Sequence, residues 1–179
     1  MQPLYLSTPW TIVLCFAGWF VLQFGAALIC LKMPERWLSP ENYLFRTHRW
    51  EKNGRLYLML GVHRWKRLLP DGAAITKGGY RKKALADYSS ENLERFLIES
   101  CRAELTHLLA ILPFWVFGLI GPPSIVAYMF LYALAVNLPC IIAQRYNRPR
   151  IQVLKRKLNG RIARCKSSEA VCSENIQKI

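Results

Sequence analysis

The residues best suited to chemistry stand at the two ends of one long apolar stretch. Glu104 and His107 precede it, three positions apart and therefore on the same face of a helix. A carboxylate that holds an imidazole makes a general base, which can take a proton from a hydroxyl group. In a soluble helix this weak pattern would more often be an ordinary salt bridge. At the edge of a membrane span ionisable groups are costly, which favours a functional role.

A cluster of arginines follows the stretch. Arg145, Arg148 and Arg150 stand close together, with Tyr146 and Asn147 between them. Planar guanidinium groups bind phosphates in a bidentate fashion. Such a cluster also serves as a flank that stops a membrane span, and that interpretation applies in part.

A third polar group contains Lys66 and Asp71, together with His63. A metal site is not indicated, because the E-x-x-H pattern of di-iron bundles needs a second copy and this chain has none. The six cysteines are scattered, without a CxxC pair or zinc-ligand spacing. We therefore expect no bound metal and no disulfide framework.

The elements that position these groups are helices in a membrane. No Asp, Glu, Lys, Arg or His lies between His107 and Arg145, and the stretch is broken at Gly121-Pro122-Pro123. This pattern predicts a hairpin over residues 105–143 whose two ends lie in the same compartment. Its first arm is short, so both a spanning and a re-entrant hairpin are possible. A helix from Glu91 to Leu112 leads into that arm.

The N-terminal 31 residues predict a transmembrane anchor. Residues 10–31 are apolar except for Thr11 and Gln23, which is long enough to cross the hydrocarbon core as a helix. A cleaved signal peptide is the competing interpretation, but the chain lacks a basic start and a clear cleavage site.

Charge placement predicts the orientation. The chain has a net charge of +14 and a hydrophobic content of 53%. Its Lys and Arg residues fall in residues 32–104 and 144–179, and none precede the anchor. The positive-inside rule then puts the N-terminus outside and the C-terminus in the cytoplasm. Anionic membrane lipids are the expected counter-surface, and no nucleic-acid-binding motif is present.

The predicted fold class is therefore an all-α, multi-pass membrane protein. It consists of the anchor (1–31), a cytoplasmic or interfacial helical region (32–104), the membrane hairpin (105–143) and a basic cytoplasmic tail (144–179).

Three motifs resemble one known family. Trp65-Lys66 with Asp71-Gly72, then Arg102-Ala-Glu-Leu-Thr-His107 with Ile111-Leu-Pro113, then Gln144-Arg-Tyr-Asn-Arg-Pro-Arg150 occur in this order. They are similar to motifs of the glycosyl-4,4'-diaponeurosporenoate acyltransferases, small bacterial membrane proteins of staphyloxanthin-type carotenoid pathways. The likeness covers roughly residues 31–154, and the last motif is its most specific part.

The resemblance implies transfer of a fatty acyl group to a sugar hydroxyl of a glycosylated C30 carotenoid acid. The acyl donor, acyl-CoA or acyl carrier protein, would be a co-substrate, with no bound cofactor, and other carotenoid-pathway enzymes are possible partners. His107 would deprotonate the hydroxyl, oriented by Glu104. Arg102, Arg145 and Arg148 would bind the donor phosphates or the developing oxyanion. The remaining candidates for contact with substrate or donor are Trp65, Lys66, Asp71, Tyr146, Asn147 and Arg150.

Two alternatives stay open at this point. One is an acyltransferase of the same layout that acts on another glycolipid. The other is a non-enzymatic membrane scaffold or a protein that binds anionic lipids.

Overall fold

Three long helices and a segment of short ones make up the structure. A computed structural model describes residues 7–69 and 89–176, and within those residues it is all-helical, without strands. The α-helices, in chain order, are α1 (Thr8–Leu31), α2 (Arg55–Met59), α3 (Val62–Trp65), α4 (Ser90–Ile111) and α5 (Pro123–Ile176). The 3-10 helices are Glu35–Trp37, Arg49–Gly54, Lys66–Leu68 and Leu112–Leu119.

Helix α4 begins at a side-chain cap and continues past a proline. The hydroxyl of Ser89 accepts the backbone N–H of Asn92 at 3.3 Å, and Glu91 lies in the first turn, where the helix dipole favours an anion. Pro113 has non-helical dihedral angles (φ −83°, ψ 16°), and the chain continues beyond it as the 3-10 helix. Residues 90–119 therefore form a 30-residue rod long enough to cross a membrane.

Helix α5 starts directly after the turn at residues 120–122 and contains both Pro139 and Pro149. The sequence suggested a span that ends near Ala143, followed by a separate tail. The helix instead continues through the expected boundary between residues 143 and 144. Helix α4 crosses the boundary between residues 104 and 105, as expected of a helix from Glu91 to Leu112. Prolines are tolerated inside membrane helices because neighbouring groups satisfy the backbone acceptors that they leave free.

Contacts at two points along helix α1 define how it is oriented against the hairpin. Near its middle, the Trp19 ring contacts the rings of Phe117 (6.3 Å between centroids) and Tyr132 (5.2 Å). At its C-terminus, Nη1 of Arg102 donates to the carbonyl oxygen of Cys30 at 2.6 Å, where the helix dipole favours a cation. The C-terminus of α1 therefore lies beside the charged part of α4, and its N-terminus points toward the hairpin turn.

The outer surface of these helices is apolar. Trp10, Phe16 and Phe20 on α1 and Leu131 on α5 are all more than half exposed. Exposed apolar surface of this extent is typical of contact with lipid. Within residues 7–69 and 89–176, three helices are long and apolar enough to cross a membrane, which indicates a membrane location.

Candidate active site

The two polar groups at the ends of the apolar stretch come together around Glu104. Its Oε1 atom accepts from Nε of Arg145 and its Oε2 atom accepts from Nη2 of Arg148, each at 2.6 Å. The Glu104 side chain is fully buried. The hairpin brings these residues together because its two arms run antiparallel and both polar groups stand at its open end.

A second carboxylate completes this charge network, and it comes from the short helices of the region of residues 32–104. Glu51 is buried and accepts from Nη1 of Arg145 at 2.6 Å. Two backbone carbonyls of the same segment also accept from the arginines: that of Leu44 from Arg145 (2.7 Å) and that of Phe45 from Arg148 (2.6 Å). Two buried glutamates thus balance two arginines and fix residues 44–51 onto the hairpin.

Tyr57 lies against this network, and its buried side chain interacts with Glu51. Burial, together with the negative charge of Glu51, raises the pKa of the Tyr57 phenol above its usual value. The phenol therefore stays protonated at neutral pH and can act as a hydrogen-bond donor.

The three arginines expected to bind phosphate differ in their accessibility. Arg148 is 1% exposed, and its donors contact Glu104, Ser100 and the backbone of Phe45. Arg102 donates to Glu99 and to the C-terminal carbonyls of α1. Arg145 keeps 15% of its side-chain surface exposed, the most of the three. All three arginines have internal partners, including Glu104, Glu51 and the carbonyl of Leu44 for Arg145. Arg145 is nevertheless the most exposed of the set, so it reaches the surface best.

His107 lies one turn of α4 beyond Glu104, and its hydrogen bond reaches Asn137 on α5. The Nδ1 atom of His107 is 2.8 Å from Oδ1 of Asn137. Asn137 is fully buried and donates from Nδ2 to the carbonyl oxygen of Ala133 at 2.9 Å, while Nε2 of Gln23 donates to its Oδ1 at 3.2 Å. Gln23, Asn137 and His107 thus form a polar group that joins all three membrane helices.

This arrangement sets the tautomer of His107. With its amide N–H donating to Ala133, Asn137 presents an oxygen to the imidazole, so Nδ1 must carry the proton. The neutral ring then keeps a lone pair on Nε2, the form that a general base needs. The sequence suggested that Glu104 orients His107, but both oxygens of Glu104 hold arginines and Asn137 holds Nδ1.

A second cluster contains four of the other candidate residues, and its Tyr146 shares a hydrophobic core with Tyr57. Nζ of Lys66 donates to Oδ1 of Asn147 at 2.7 Å and lies 4.7 Å from the centre of the Tyr146 ring. The guanidinium carbon of Arg150 lies 3.7 Å from the centre of the same ring. Burial and the positive charges of Arg150 and Arg67 lower the pKa of Lys66.

An apolar groove of about 390 Å³ begins beside this second cluster. It is formed by Trp65 and one side of α5, whose lining residues are Leu134, Ala135, Leu138, Pro139 and Ile142. Ile142 and Trp65 also pack against the core around Tyr146, so the groove adjoins the cation cluster.

Two further results concern residues outside these clusters. Asp71, a candidate from the sequence, lies outside the described residues. In the part of the chain that the structure describes, no three His, Cys, Asp or Glu residues are grouped so that they could hold a metal ion.

Sequence reasoning missed three residues of the site, and two of them carried a signal. Gln23 and Asn137 are the strongly polar residues of otherwise apolar spans, and an uncompensated amide in hydrocarbon requires a partner. A contact between these two amides, from one helix to another, could therefore have been predicted. Glu51 carried no such signal, because its partner Arg145 is 94 positions away.

Comparison with known proteins gives one consistent result. The family profile described as glycosyl-4,4'-diaponeurosporenoate acyltransferase matches residues 35–157. A protein of that name from Staphylococcus aureus (strain bovine RF122 / ET3-1) is 33% identical over 153 residues, which cover 84% of this chain and 92% of the relative. The corresponding protein of Staphylococcus aureus (strain MRSA252) is 32% identical over the same shares. No solved structure matches this chain.

Proposed function

Since this chain belongs to the glycosyl-4,4'-diaponeurosporenoate acyltransferase family and is an acyltransferase, we propose that it esterifies a sugar hydroxyl of a glycosylated C30 carotenoid acid with a fatty acyl group. The acceptor is an amphiphile, with its polyene in the bilayer and its sugar at the surface. The reaction therefore needs a base near the boundary between lipid and water. The observation that carries the proposal, besides family membership, is the position of His107 at the end of the apolar stretch with Nδ1 held by Asn137.

In the proposed reaction, Nε2 of His107 takes the proton of the sugar hydroxyl. The hydroxyl oxygen forms a bond to the acyl carbon of the donor, acyl-CoA or acyl carrier protein, and the carbon–sulfur bond then breaks. The proton held by His107 passes to the departing thiolate. General base catalysis of this kind contributes roughly 10²–10⁴-fold in rate.

Arg145 is the proposed stabiliser of the oxyanion. It is partly exposed, and it is fixed on two sides by Glu51 and Glu104. A guanidinium held in this way needs little reorganisation when negative charge develops on the acyl oxygen. Glu104 and Arg148 act through Arg145 as positioning residues.

The site lies at the cytoplasmic face in this proposal, with the N-terminus outside and the long C-terminal part of α5 inside. The basic residues after Arg145 support this orientation, since cations collect on the cytoplasmic side.

The function is tested by substituting His107 in a host that makes the glycosylated carotenoid and lacks its own acyltransferase. His107→Ala and His107→Gln should leave the unacylated glycosyl carotenoid to accumulate, measured by mass spectrometry of the extracted pigment. His63→Ala is the matched control, because His63 is exposed and belongs to neither cluster. Normal amounts of ester in both His107 variants would remove His107 from the mechanism. Absence of ester with the unsubstituted chain would refute the proposed acceptor.

A further inference from the structure

The groove and the cation cluster beside it form a surface that the proposed reaction does not use. Lys66 and Arg150 both approach the ring of Tyr146, at 4.7 Å and 3.7 Å from its centre. Among the described residues, neither cation forms a salt bridge with a carboxylate. Two positive charges are thus held close together without a neutralising partner in the described chain.

The electrostatics of Lys66 point to an anionic ligand. Its ammonium group is half-buried, and Arg150 and Arg67 disfavour its charged form. An anion bound between Lys66 and Arg150 would relieve this repulsion and restore the charged form. The Oδ1 atom of Asn147 already fixes the position of Nζ, so the site is partly preorganised.

The groove requires the ligand to carry a hydrocarbon chain as well. Its lining is apolar and extends over two turns of α5, from Leu134 to Ile142. Leu138 and Ala135 are exposed in the protein, so the groove opens toward the lipid. A ligand that fills it has an anionic head at Lys66 and Arg150 and an acyl chain within the bilayer.

The groove faces away from the proposed catalytic residue. At about 100° per residue, its lining residues are centred roughly 130° around the α5 axis from Asn137, which holds His107. A chain lying in the groove therefore does not present its acyl carbon to His107. This separates the occupant of the groove from the reacting acyl donor.

The geometry points to a binding site for an anionic phospholipid, with its phosphate between Lys66 and Arg150 and an acyl chain in the groove below Trp65. The lipid fixes the segment of short helices against α5, because Lys66 and Trp65 come from that segment and the other contacts come from α5. Trp65, which closes the groove, belongs to the residue type enriched at the boundary between lipid and water.

Native mass spectrometry of the full-length protein, released from detergent, tests this site. The protein is titrated with phosphatidylglycerol and, separately, with phosphatidylcholine of the same chain length. We expect tighter binding of phosphatidylglycerol, and Lys66→Gln/Arg150→Gln should weaken that binding about thirtyfold, on the scale that two cations near an anionic lipid contribute. Arg156→Gln/Lys157→Gln removes two exposed cations of the same helix and should change the affinity less than threefold.

A second pair of variants tests the groove independently of charge. Ala135→Phe fills the groove from its exposed side and should reduce binding of phosphatidylglycerol at least tenfold. Ala127→Phe makes the same change at another exposed position of α5 and should leave binding unaltered. Equal binding of the two lipids, or equal effects of Ala135→Phe and Ala127→Phe, would overturn the site.

Competition identifies the class of ligand. Inorganic phosphate at millimolar concentration should not displace the lipid, because it lacks the chain. If acyl-CoA displaces phosphatidylglycerol at an equal or lower concentration, the occupant is the acyl donor, and the assignment to a phospholipid is wrong. The test needs no pigment assay, so its result is independent of the proposed reaction.

Discussion

The Nδ1 atom of His107, on α4, lies 2.8 Å from the Oδ1 atom of Asn137, on α5. The contact joins the two arms of the hairpin and fixes the proton of the imidazole on the nitrogen that faces Asn137. The same Oδ1 atom accepts from Gln23, so α1 is joined to the pair as well. One buried amide thus connects the base of the proposed reaction to all three membrane helices.

Asn137→Ala should lower the turnover rate without removing the base. The imidazole would lose the partner that sets its tautomer and ring orientation. The expected loss in kcat is about 10- to 100-fold, the scale of orienting partners of functional histidines, with a smaller change in KM. Rates of ester formation in isolated membranes measure this effect. Val136→Ala, at the neighbouring lipid-exposed position, is the control. A kcat equal to that of the control would exclude an orienting role for Asn137.

Glu104→Gln should destabilise the protein strongly. The substitution removes the charge that neutralises Arg148, whose side chain is only 1% exposed. Breaking a buried pair in this way costs about 3–5 kcal/mol. Thermal unfolding in detergent, followed by circular dichroism, measures the change in Tm.

The control for Glu104 is Glu94→Gln, because Glu94 is 61% exposed and pairs with Lys155 at the surface. An exposed pair contributes about 0–1 kcal/mol, so Tm should hardly change. If Glu104→Gln abolished activity and kept the Tm of the unsubstituted protein, the role of Glu104 would be catalytic, as its spacing from His107 suggested, and not structural.

The sequence was sufficient to predict the spans, because apolar length and charge placement act locally. It also predicted that Glu104 and the arginines meet, since a hairpin brings its two ends together. It could not tell which arginine is buried, because Arg145, Arg148 and Arg150 are the same residue type in one motif. That choice follows from the face of α5 on which each stands. The sequence suggested that the helical span ends near Ala143. There was then no reason to expect that Arg148 would lie on the same buried face of α5 as Asn137.

The segment of short helices was the least predictable part for a physical reason. Its position depends on hydrogen bonds from Arg145 and Arg148 to the backbone of Leu44 and Phe45. Backbone carbonyls carry no side-chain signature, so no sequence pattern specifies these contacts.

Gly54→Ala should destabilise the contact between the short helices and α5. Gly54 has a φ of +83°, and an added Cβ would lie 3.1 Å from Cγ of Pro149. The backbone strain alone costs about 1–3 kcal/mol, and the close approach adds to it. A lower Tm measures the effect.

Gly160→Ala is the matched control for Gly54. An added Cβ there meets nothing within 4 Å, and the position lies inside α5. Alanine is the better helix former by about 1 kcal/mol, so Tm should stay the same or rise. A decrease in Tm of equal size for both substitutions would contradict the proposed strain at Gly54.

Tyr57 should make the fold sensitive to alkali. Its pKa in the folded state is raised, so its contribution to stability is complete below the unfolded pKa of about 10 and is lost as the pH rises above that value. Tyr57→Phe removes this group. Its Tm should therefore fall less steeply between pH 9 and pH 11, on about the scale of one titrating phenol.

Tyr43→Phe, at a side chain that is 75% exposed, should keep the pH dependence of the unsubstituted protein. Unfolding curves recorded across this pH range for the three proteins make the comparison. Parallel curves for Tyr57→Phe and the unsubstituted protein would show that the phenol ionises equally easily in the folded and unfolded states.

The proposed orientation can be tested with thiol labelling from the two sides of the cell membrane. Ser124 is exposed beside the hairpin turn, and Cys165 is exposed far along α5. In a chain carrying Ser124→Cys and Cys172→Ser, a maleimide that does not cross membranes should label residue 124 in intact cells. Cys165 should react only after the cells are permeabilised. Cys101 is fully buried and should stay unlabelled in the folded protein under both conditions.

The reverse pattern would invert the orientation that the basic residues predict. Labelling of both positions only after permeabilisation would mean that the hairpin is re-entrant and returns to the cytoplasmic face without crossing the membrane. His107 would then lie at the end of a re-entrant segment and not at the end of a complete span.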